Sequence, residues 1–218
     1  MPGSAGDRLS ATYNYLFGKK SPDQGSKARL NRDVRDTMVS PELRQEMVDV
    51  LQAASNLGLC PARISEASIR IKDNTFLVTK RNSWFNQLTD QDLILVMASM
   101  ESEIDKDQSP KHWGWHLSIY LGDPNTKAVV MGQPAALMAL ASQKKLPEDR
   151  LLPDAGEIID QIILCQPNSK NIGQETQQAR LLVVPGIGAL ARGETISEAV
   201  TFLELANQWS DLTIKASK

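Results

Sequence analysis

Apolar side chains recur every three or four positions between residues 41 and 58, which is the spacing of an amphipathic helix. Ser40 offers a capping hydroxyl, Pro41 suits the first helical position, and Gly58 can end the helix. Near the end of the chain, Thr195-Ile-Ser-Glu198 has the capping-box pattern, and apolar residues follow it at the same spacing. The pattern therefore predicts one helix near residue 40 and another after Thr195.

Between these helices the apolar spacing first changes to two. Ile69 and Ile71 alternate with Ser68 and Arg70, a polar turn follows at residues 72–74, and residues 75–79 are again typical of a strand. This predicts a β-hairpin in one layered α/β domain, with helices covering a sheet. Further strands are predicted at 93–96, 116–121, 127–131 and 181–184, and further helices at 134–144 and 154–165.

Composition adds limits on size, charge and compartment. The 218 residues are 41% hydrophobic, which suits one domain with a substantial core, and 24 Lys and Arg against 26 Asp and Glu give a net charge of -2. We therefore expect no nucleic-acid partner. No apolar run is long enough to cross a bilayer, so we expect no membrane association and a cytoplasmic location. Cys60 and Cys165 lack C-x-x-C spacing and resemble small buried hydrophobes.

The first 38 residues differ from the rest. They are rich in Gly, Ser and charged residues, which predicts a flexible N-terminal extension at 1–38 before a folded domain at 39–218. An apolar cluster within the extension is either a docking motif or a segment that lies on its own domain. The cluster consists of Tyr13, Tyr15, Leu16 and Phe17.

Five segments of the chain, in this order, carry a resemblance to a known family: Ile64–Arg70, Leu77–Thr79, Leu88–Leu93, Trp113–Tyr120 and Lys127–Pro134. They resemble the class II aldolase/adducin family. The resemblance covers roughly residues 40–210 and implies a fuculose-phosphate aldolase-like fold, with a central mixed, mostly antiparallel β-sheet covered by helices. The departures from the family fall at its chemical positions.

In this family three histidines hold a zinc ion, and the zinc ion polarises the substrate. At the matching positions this chain has Met131, Gln133 and Pro185. A thioether is a poor zinc ligand, an amide binds zinc weakly, and proline has no side-chain donor. We therefore expect neither a metal nor another cofactor.

The family's acid/base glutamate is matched by His112, preceded by Lys111. An imidazole titrates near neutrality and can replace a carboxylate as proton carrier, so His112 and Lys111 are the candidate catalytic residues. Drift after loss of function would also explain the change. His116 matches a position that the family also fills with histidine, and we interpret it as a packed structural residue.

The phosphate-binding elements of the family have changed too. Glu66 stands where the family has a neutral amide, and its carboxylate would repel a phosphate. A neighbouring turn carries two cations, Lys80 and Arg81, where the family has neutral residues. Together with Lys111 they could form an anion site, although charged side chains in loops are usually just solvated. The candidate ligand-binding residues are Lys80, Arg81, Gln133, Ser68 and Trp113.

Two functions follow from the resemblance. We expect a metal-free, non-catalytic binding or assembly module, a pseudoenzyme that forms a homo-oligomer, most simply a tetramer, with a protein partner or a small anionic ligand. The alternative is a metal-independent lyase, isomerase or cyclase for a small anionic or flat substrate, with His112 as proton carrier. An open cavity lined by His112, Gln133 and at least one of the cations Lys80, Arg81 and Lys111 would favour the enzyme.

Overall fold

The computed structural model describes residues 38–98, 108–166, 172 and 179–217. The predicted extension at 1–38, with its apolar cluster, lies outside the described residues except for Met38.

Five α-helices and seven strands, with three short 3-10 helices, are the regular elements that the structure describes. The helices are α1 Pro41–Asn56, α2 Trp113–Gly122, α3 Ala135–Ser142, α4 Pro153–Ile159 and α5 Ile196–Ala216. The strands are β1 Glu66–Lys72, β2 Thr75–Thr79, β3 Leu93–Met97, β4 Ala128–Gly132, β5 Ile162–Leu164, β6 Leu181–Val184 and β7 Gly188–Gly193.

The strands form a single sheet in the order β3-β2-β1-β4-β7-β6-β5. Every neighbouring pair is antiparallel except β5 with β6. The predicted fold class, a mixed and mostly antiparallel sheet covered by helices, is confirmed, and so is the hairpin, whose strands are β1 and β2.

The sheet is buried on both faces because its side chains alternate between two apolar clusters. On β2, Leu77 packs into the larger cluster, with side chains of α1 and α5. Phe76 and Val78, one position to either side, pack into the second cluster, with Trp113 and Leu117 of α2. Helix α2 therefore packs against the face of the sheet opposite to the face that α1 and α5 cover.

The predicted caps of α1 and α5 are both formed. The Ser40 hydroxyl accepts a hydrogen bond from the Leu43 amide at 3.2 Å, and the Thr195 hydroxyl accepts one from the Glu198 amide at 3.1 Å. The Glu198 carboxylate accepts from the Glu194 amide at 2.7 Å, one residue before the usual capping-box donor.

Within the described residues, no helix combines the length and apolarity that crossing a bilayer requires.

The strand predicted at 116–121 is wrong, because these residues lie in helix α2. The aromatic and β-branched composition suggested a strand. The buried positions of the helix, however, recur at intervals of three and four, which is helical. They are Trp113, His116, Leu117, Ile119 and Tyr120. Spacing outweighed composition because these side chains pack against the sheet from a helix.

The helix predicted at 154–165 is right only in its first half. Helix α4 ends at Ile159, and Asp160 adopts a left-handed backbone conformation with φ of 68°. Ile162 then begins β5, which pairs in parallel with Leu181 and the rest of β6. Four isoleucines at helical spacing had suggested a continuous helix, but a short edge strand uses two of them.

Two glycines permit a close approach between β4, β7 and the loop before β1. A Cβ atom on Gly132 would lie 2.5 Å from the Leu59 carbonyl oxygen, and one on Gly188 would lie 2.8 Å from the Gly132 carbonyl oxygen. In this space the backbone amide of Gln133 donates a hydrogen bond to the Leu59 carbonyl oxygen at 2.9 Å. The glycines thus fix where Gln133 leaves the sheet.

Both cysteines are buried and neither is in a disulfide. Burial raises the pKa of the Cys60 thiol to about 12, only partly opposed by a contact with Ser65. The interpretation of both as small buried hydrophobes is confirmed.

Candidate functional site

A cavity of about 220 Å³ opens beside the N-terminus of α2. Its charged lining consists of three cations and one carboxylate, and the remainder is polar or apolar. The charged residues are Arg63, Arg81, Lys111 and Glu66, joined by His112, Gln133, Asn82, Ile64, Met131, Gly186 and Ile187.

His112 and Glu66 form the closest polar pair of this cavity. The Glu66 carboxylate accepts from the His112 backbone amide at 2.9 Å through Oε2, and its Oε1 lies 3.2 Å from His112 Nδ1. The Glu66 and His112 side chains are only 8% and 14% exposed. If Nδ1 carries the hydrogen, it donates to the carboxylate and leaves the Nε2 lone pair for a ligand. A carboxylate-oriented imidazole is a common acid/base arrangement.

The pair forms because β1 and α2 run side by side with matched repeats. Two residues along a strand rise about 6.6 Å, and four residues along a helix rise about 6 Å. Alternate residues of β1 therefore meet every fourth residue of α2 at three successive levels. The contacts are Glu66 with His112, Ser68 with His116, and Arg70 with Tyr120.

His116 lies behind the pair and is completely buried. Its Nδ1 is 2.8 Å from the Ser68 hydroxyl, and its Nε2 is 3.8 Å from Glu66 Oε2. Burial lowers the pKa of His116 to about 4, although the nearby Glu66 charge acts in the opposite direction. His116 is therefore neutral at pH 7, and its interpretation as a packed residue agrees with its burial.

Four of the predicted site residues meet at the cavity. Arg81, Lys111, His112 and Gln133 all line it. Arg63 also lines the cavity, with its guanidinium 4.7 Å from the centre of the Trp84 ring. The cavity mouth thus carries three cations, of which the sequence analysis had singled out two.

The other three predicted residues lie outside the lining. The Lys80 ammonium donates to the Gln91 carbonyl. Ser68 is fully buried in the contacts with α2, and Trp113 is 4% exposed with its ring packed edge-on against Phe76 at 5.3 Å. None of these three side chains reaches the cavity.

Glu66 is the residue whose role the sequence analysis missed. It was considered only as a charge that repels phosphate, whereas in the structure it holds His112. Glu66 begins strand β1, and the residues that follow it on the strand are buried. This position was a usable signal, because a buried charge needs a partner. The partner lies 46 residues away, and nothing local identifies it.

The donor set does not fit the zinc ion that the family resemblance implies. Met131 is 1% exposed within an apolar cluster. The Gln133 amide is already used, since its oxygen accepts from Ser65 at 3.3 Å and its nitrogen donates to the Ile187 carbonyl at 3.2 Å. Among the described residues, no three His, Cys, Asp or Glu side chains converge to hold a metal ion. We derive no chemistry through a metal at this site.

Comparison with known proteins gives consistent relatives. The family model described as Class II Aldolase and Adducin N-terminal domain matches residues 45–214. A 3-oxo-tetronate 4-phosphate decarboxylase from Pectobacterium atrosepticum is 32% identical over 111 residues, and the match spans about half the length of that relative and 50% of this chain.

Solved structures agree at the level of the fold. YgbL from Escherichia coli is 22% identical with a TM-score of 0.70, covering 80% of this chain and 89% of YgbL. The L-fuculose-1-phosphate aldolase from Thermus thermophilus is 19% identical with a TM-score of 0.71, covering 82% of this chain and 95% of the aldolase. At such low sequence identities the structural similarity establishes the fold alone, and the activity has to be inferred from the residues of the site.

Proposed function

The chain belongs to the class II aldolase and adducin family, and from this premise we propose that it is a metal-independent enzyme of the lyase or isomerase type. His112 is the proton carrier, and the substrate is a small anion. The observation that carries the proposal is the open cavity in which the Glu66–His112 pair lies beneath three cations. The three cations are exposed, but Glu66 is buried and His112 is partly buried. Holding this pair at an open cavity is costly unless a ligand uses it, so we favour the enzyme over the non-catalytic module.

His112 supplies the proton chemistry in this proposal. With Nδ1–H donated to Glu66, the Nε2 lone pair takes a proton from the substrate. The imidazolium that forms stays 3.2 Å from the Glu66 carboxylate, whose opposite charge attracts it. Glu66 therefore orients His112 and compensates its charge without itself contacting the substrate.

The cations set the class of substrate. Arg63, Arg81 and Lys111 attract an anionic group, whereas the Glu66 carboxylate repels one from the inner wall. The anionic end is therefore expected at the mouth, with the reacting carbon or hydroxyl beside His112. A volume of about 220 Å³ is below the roughly 300–1,000 Å³ typical of drug-sized ligands. The name of the decarboxylase relative specifies a phosphorylated oxo acid, which is consistent with a small, oxygen-rich anion.

Two reactions fit this arrangement. In an isomerisation of an α-hydroxy carbonyl compound, His112 removes the proton from the hydroxyl-bearing carbon and returns it to the carbonyl carbon, while the hydroxyl proton passes to the carbonyl oxygen. In a retro-aldol cleavage, His112 takes the hydroxyl proton, the carbon–carbon bond breaks, and the electron pair moves to the carbonyl oxygen of the other fragment. Arg81 or Lys111 then stabilises the oxyanion that either reaction forms.

The test uses substrates whose protons can be followed directly. The full chain is incubated in D₂O with three- and four-carbon hydroxy and oxo acids and their phosphates, and proton NMR follows deuterium uptake or cleavage. His112→Gln should abolish the reaction, and Lys111→Gln should weaken it. Lys80→Gln is the matched control, because Lys80 lies outside the cavity and should leave turnover unchanged. Full turnover by His112→Gln would refute the proposal.

Assembly is the second candidate function, and it is compatible with the first. Leu57 and Ile64 are each more than half exposed, and Trp84 is 43% exposed. Such side chains are common in subunit interfaces. We propose a homo-oligomer, a tetramer being the simplest form by family resemblance. Light scattering at micromolar concentration tests this, and a monomer across the whole range would contradict it.

A further inference from the structure

Behind the Glu66–His112 pair runs a buried hydrogen-bonded chain that the proposed reaction does not yet use. It connects Tyr120, Ser68 and His116, which are 2%, 0% and 0% exposed. The Tyr120 hydroxyl lies 2.9 Å from the Ser68 carbonyl and 2.8 Å from the Ser68 hydroxyl. The Ser68 hydroxyl in turn lies 2.8 Å from His116 Nδ1. Each of these contacts requires one hydrogen.

Taking all three contacts as hydrogen bonds assigns the direction of the chain. Tyr120 has a single hydroxyl hydrogen, and the Ser68 carbonyl can only accept, so Tyr120 donates there. The contact between the two hydroxyl oxygens must then be bridged by the Ser68 hydrogen. The remaining contact is satisfied only if His116 Nδ1 carries a hydrogen and donates to Ser68.

His116 is therefore the neutral Nδ1–H tautomer with a lone pair on Nε2. Its neutrality at pH 7 follows from burial, which lowers the pKa of His116 to about 4. Its Nε2 finds no hydrogen-bond donor or acceptor among the described residues, although Glu66 Oε2 is 3.8 Å away. Two acceptors face each other there, so His116 withholds a donor from Glu66. The three hydrogen bonds that reach the Glu66 carboxylate in the described part of the chain all come from the backbone amide and Nδ1 of His112.

We propose that His116, Ser68 and Tyr120 are positioning residues, which direct the Glu66 charge wholly to His112 by keeping the other imidazole from donating to it. This inference rests on the proposed role of His112 as proton carrier. If the chain ran in the opposite direction, Ser68 would donate to His116 Nδ1, and an Nε2–H group would compete with His112 for the carboxylate.

The chain contains only two histidines, so NMR of the ring nitrogens gives two sets of signals that His112→Gln assigns. At neutral pH the wild-type spectrum should show His116 protonated at Nδ1 and unprotonated at Nε2. Tyr120→Phe removes the acceptor of the Ser68 hydrogen. That hydrogen should turn to His116 Nδ1, and the His116 hydrogen should move to Nε2. The His112 Nδ1–H signal should also change, since Glu66 gains a second donor.

The matched control is Phe76→Leu. Phe76 packs 4.8 Å from the Tyr120 ring without joining the hydrogen-bonded chain, so its replacement should leave both tautomers unchanged. If Tyr120→Phe does not fold, Ser68→Ala provides the same test, because it also frees His116 from its acceptor. A wild-type His116 protonated at Nε2, or a folded Tyr120→Phe that keeps the wild-type tautomers, would overturn the inference.

Turnover separates this inference from the proposed function. Tyr120→Phe should lower turnover roughly tenfold or more, with the tautomer change visible in the absence of any substrate. Unchanged turnover despite a changed tautomer would overturn the positioning role while leaving His112 as proton carrier. Turnover that survives His112→Gln would instead remove the proposed function, and the tautomers would still be measured independently.

Discussion

Replacing His112 with alanine tests the energetic link between the cavity and the fold. The substitution removes the Nδ1 contact at 3.2 Å to a carboxylate whose side chain is 8% exposed. A hydrogen bond to a charged group contributes about 1.5–3 kcal/mol. Glu66 keeps the backbone amide of residue 112 at 2.9 Å, so the loss should stay below the roughly 3–5 kcal/mol of a fully unpaired buried ion. We expect the free energy of unfolding to fall by about 2 kcal/mol.

A double-mutant cycle with Glu66→Gln isolates the pair. Glutamine keeps a carbonyl acceptor but carries no charge, so His112→Ala should cost clearly less on that background. The coupling energy should be about 1–2 kcal/mol. Lys111→Ala is the control, because this exposed neighbour should change stability by no more than about 0.5 kcal/mol.

Urea unfolding followed by circular dichroism measures these differences. All variants are compared at one protein concentration, since the stability of any oligomer depends on it. Equal costs of His112→Ala with Glu66 and with Gln at position 66 would refute the reasoning, as would a His112→Ala variant no less stable than the wild type.

Three further predictions follow from burial, close packing and the donor set. Because burial lowers the pKa of His116 to about 4 from 6.5, the unfolded chain binds a proton that the folded chain excludes, and stability falls as pH drops through that window. Between pH 6.5 and 4 the free energy of unfolding of the wild type should fall by up to about 3 kcal/mol more than that of His116→Gln. Glu66 and His112, which also titrate, are present in both proteins. Equal pH slopes would argue against a buried neutral His116. Gly132→Ala should destabilise the chain to urea by roughly 1–3 kcal/mol, whereas Gly156→Ala, whose Cβ would come no closer than 3.4 Å to a neighbour, should not. Elemental analysis of purified protein should find no stoichiometric zinc, and close to one zinc per chain would count against the donor-set argument.

The sequence predicted well the elements that local interactions define. Ser40 and Thr195 cap their helices through contacts three residues away, and the hairpin closes across a two-residue turn. It failed at residues 116–121, because composition and spacing disagreed and only the packing of α2 against the sheet decides between them. The end of α4 was missed because the pairing partner of β5 lies about 20 residues further along the chain.

The candidate site was predictable to the extent that residues occupy positions equivalent to those of the family. His112, Lys111, Arg81 and Gln133 were found in this way and do line one cavity. The role of Glu66 was not, because it depends on the register of β1 against α2, which is a tertiary property.

The register between β1 and α2 also has a consequence for finding other chains with this site. The three levels of contact correspond to the spacing E-x-S-x-R on the strand and H-x-x-x-H-x-x-x-Y on the helix, read together. Either half alone is too short to be informative. A chain that carries both, in this order, is expected to share the whole proton-handling arrangement. A chain in which one residue is inserted into the strand half should lose every contact that follows the insertion, because the shift turns the following side chains to the other face of the sheet.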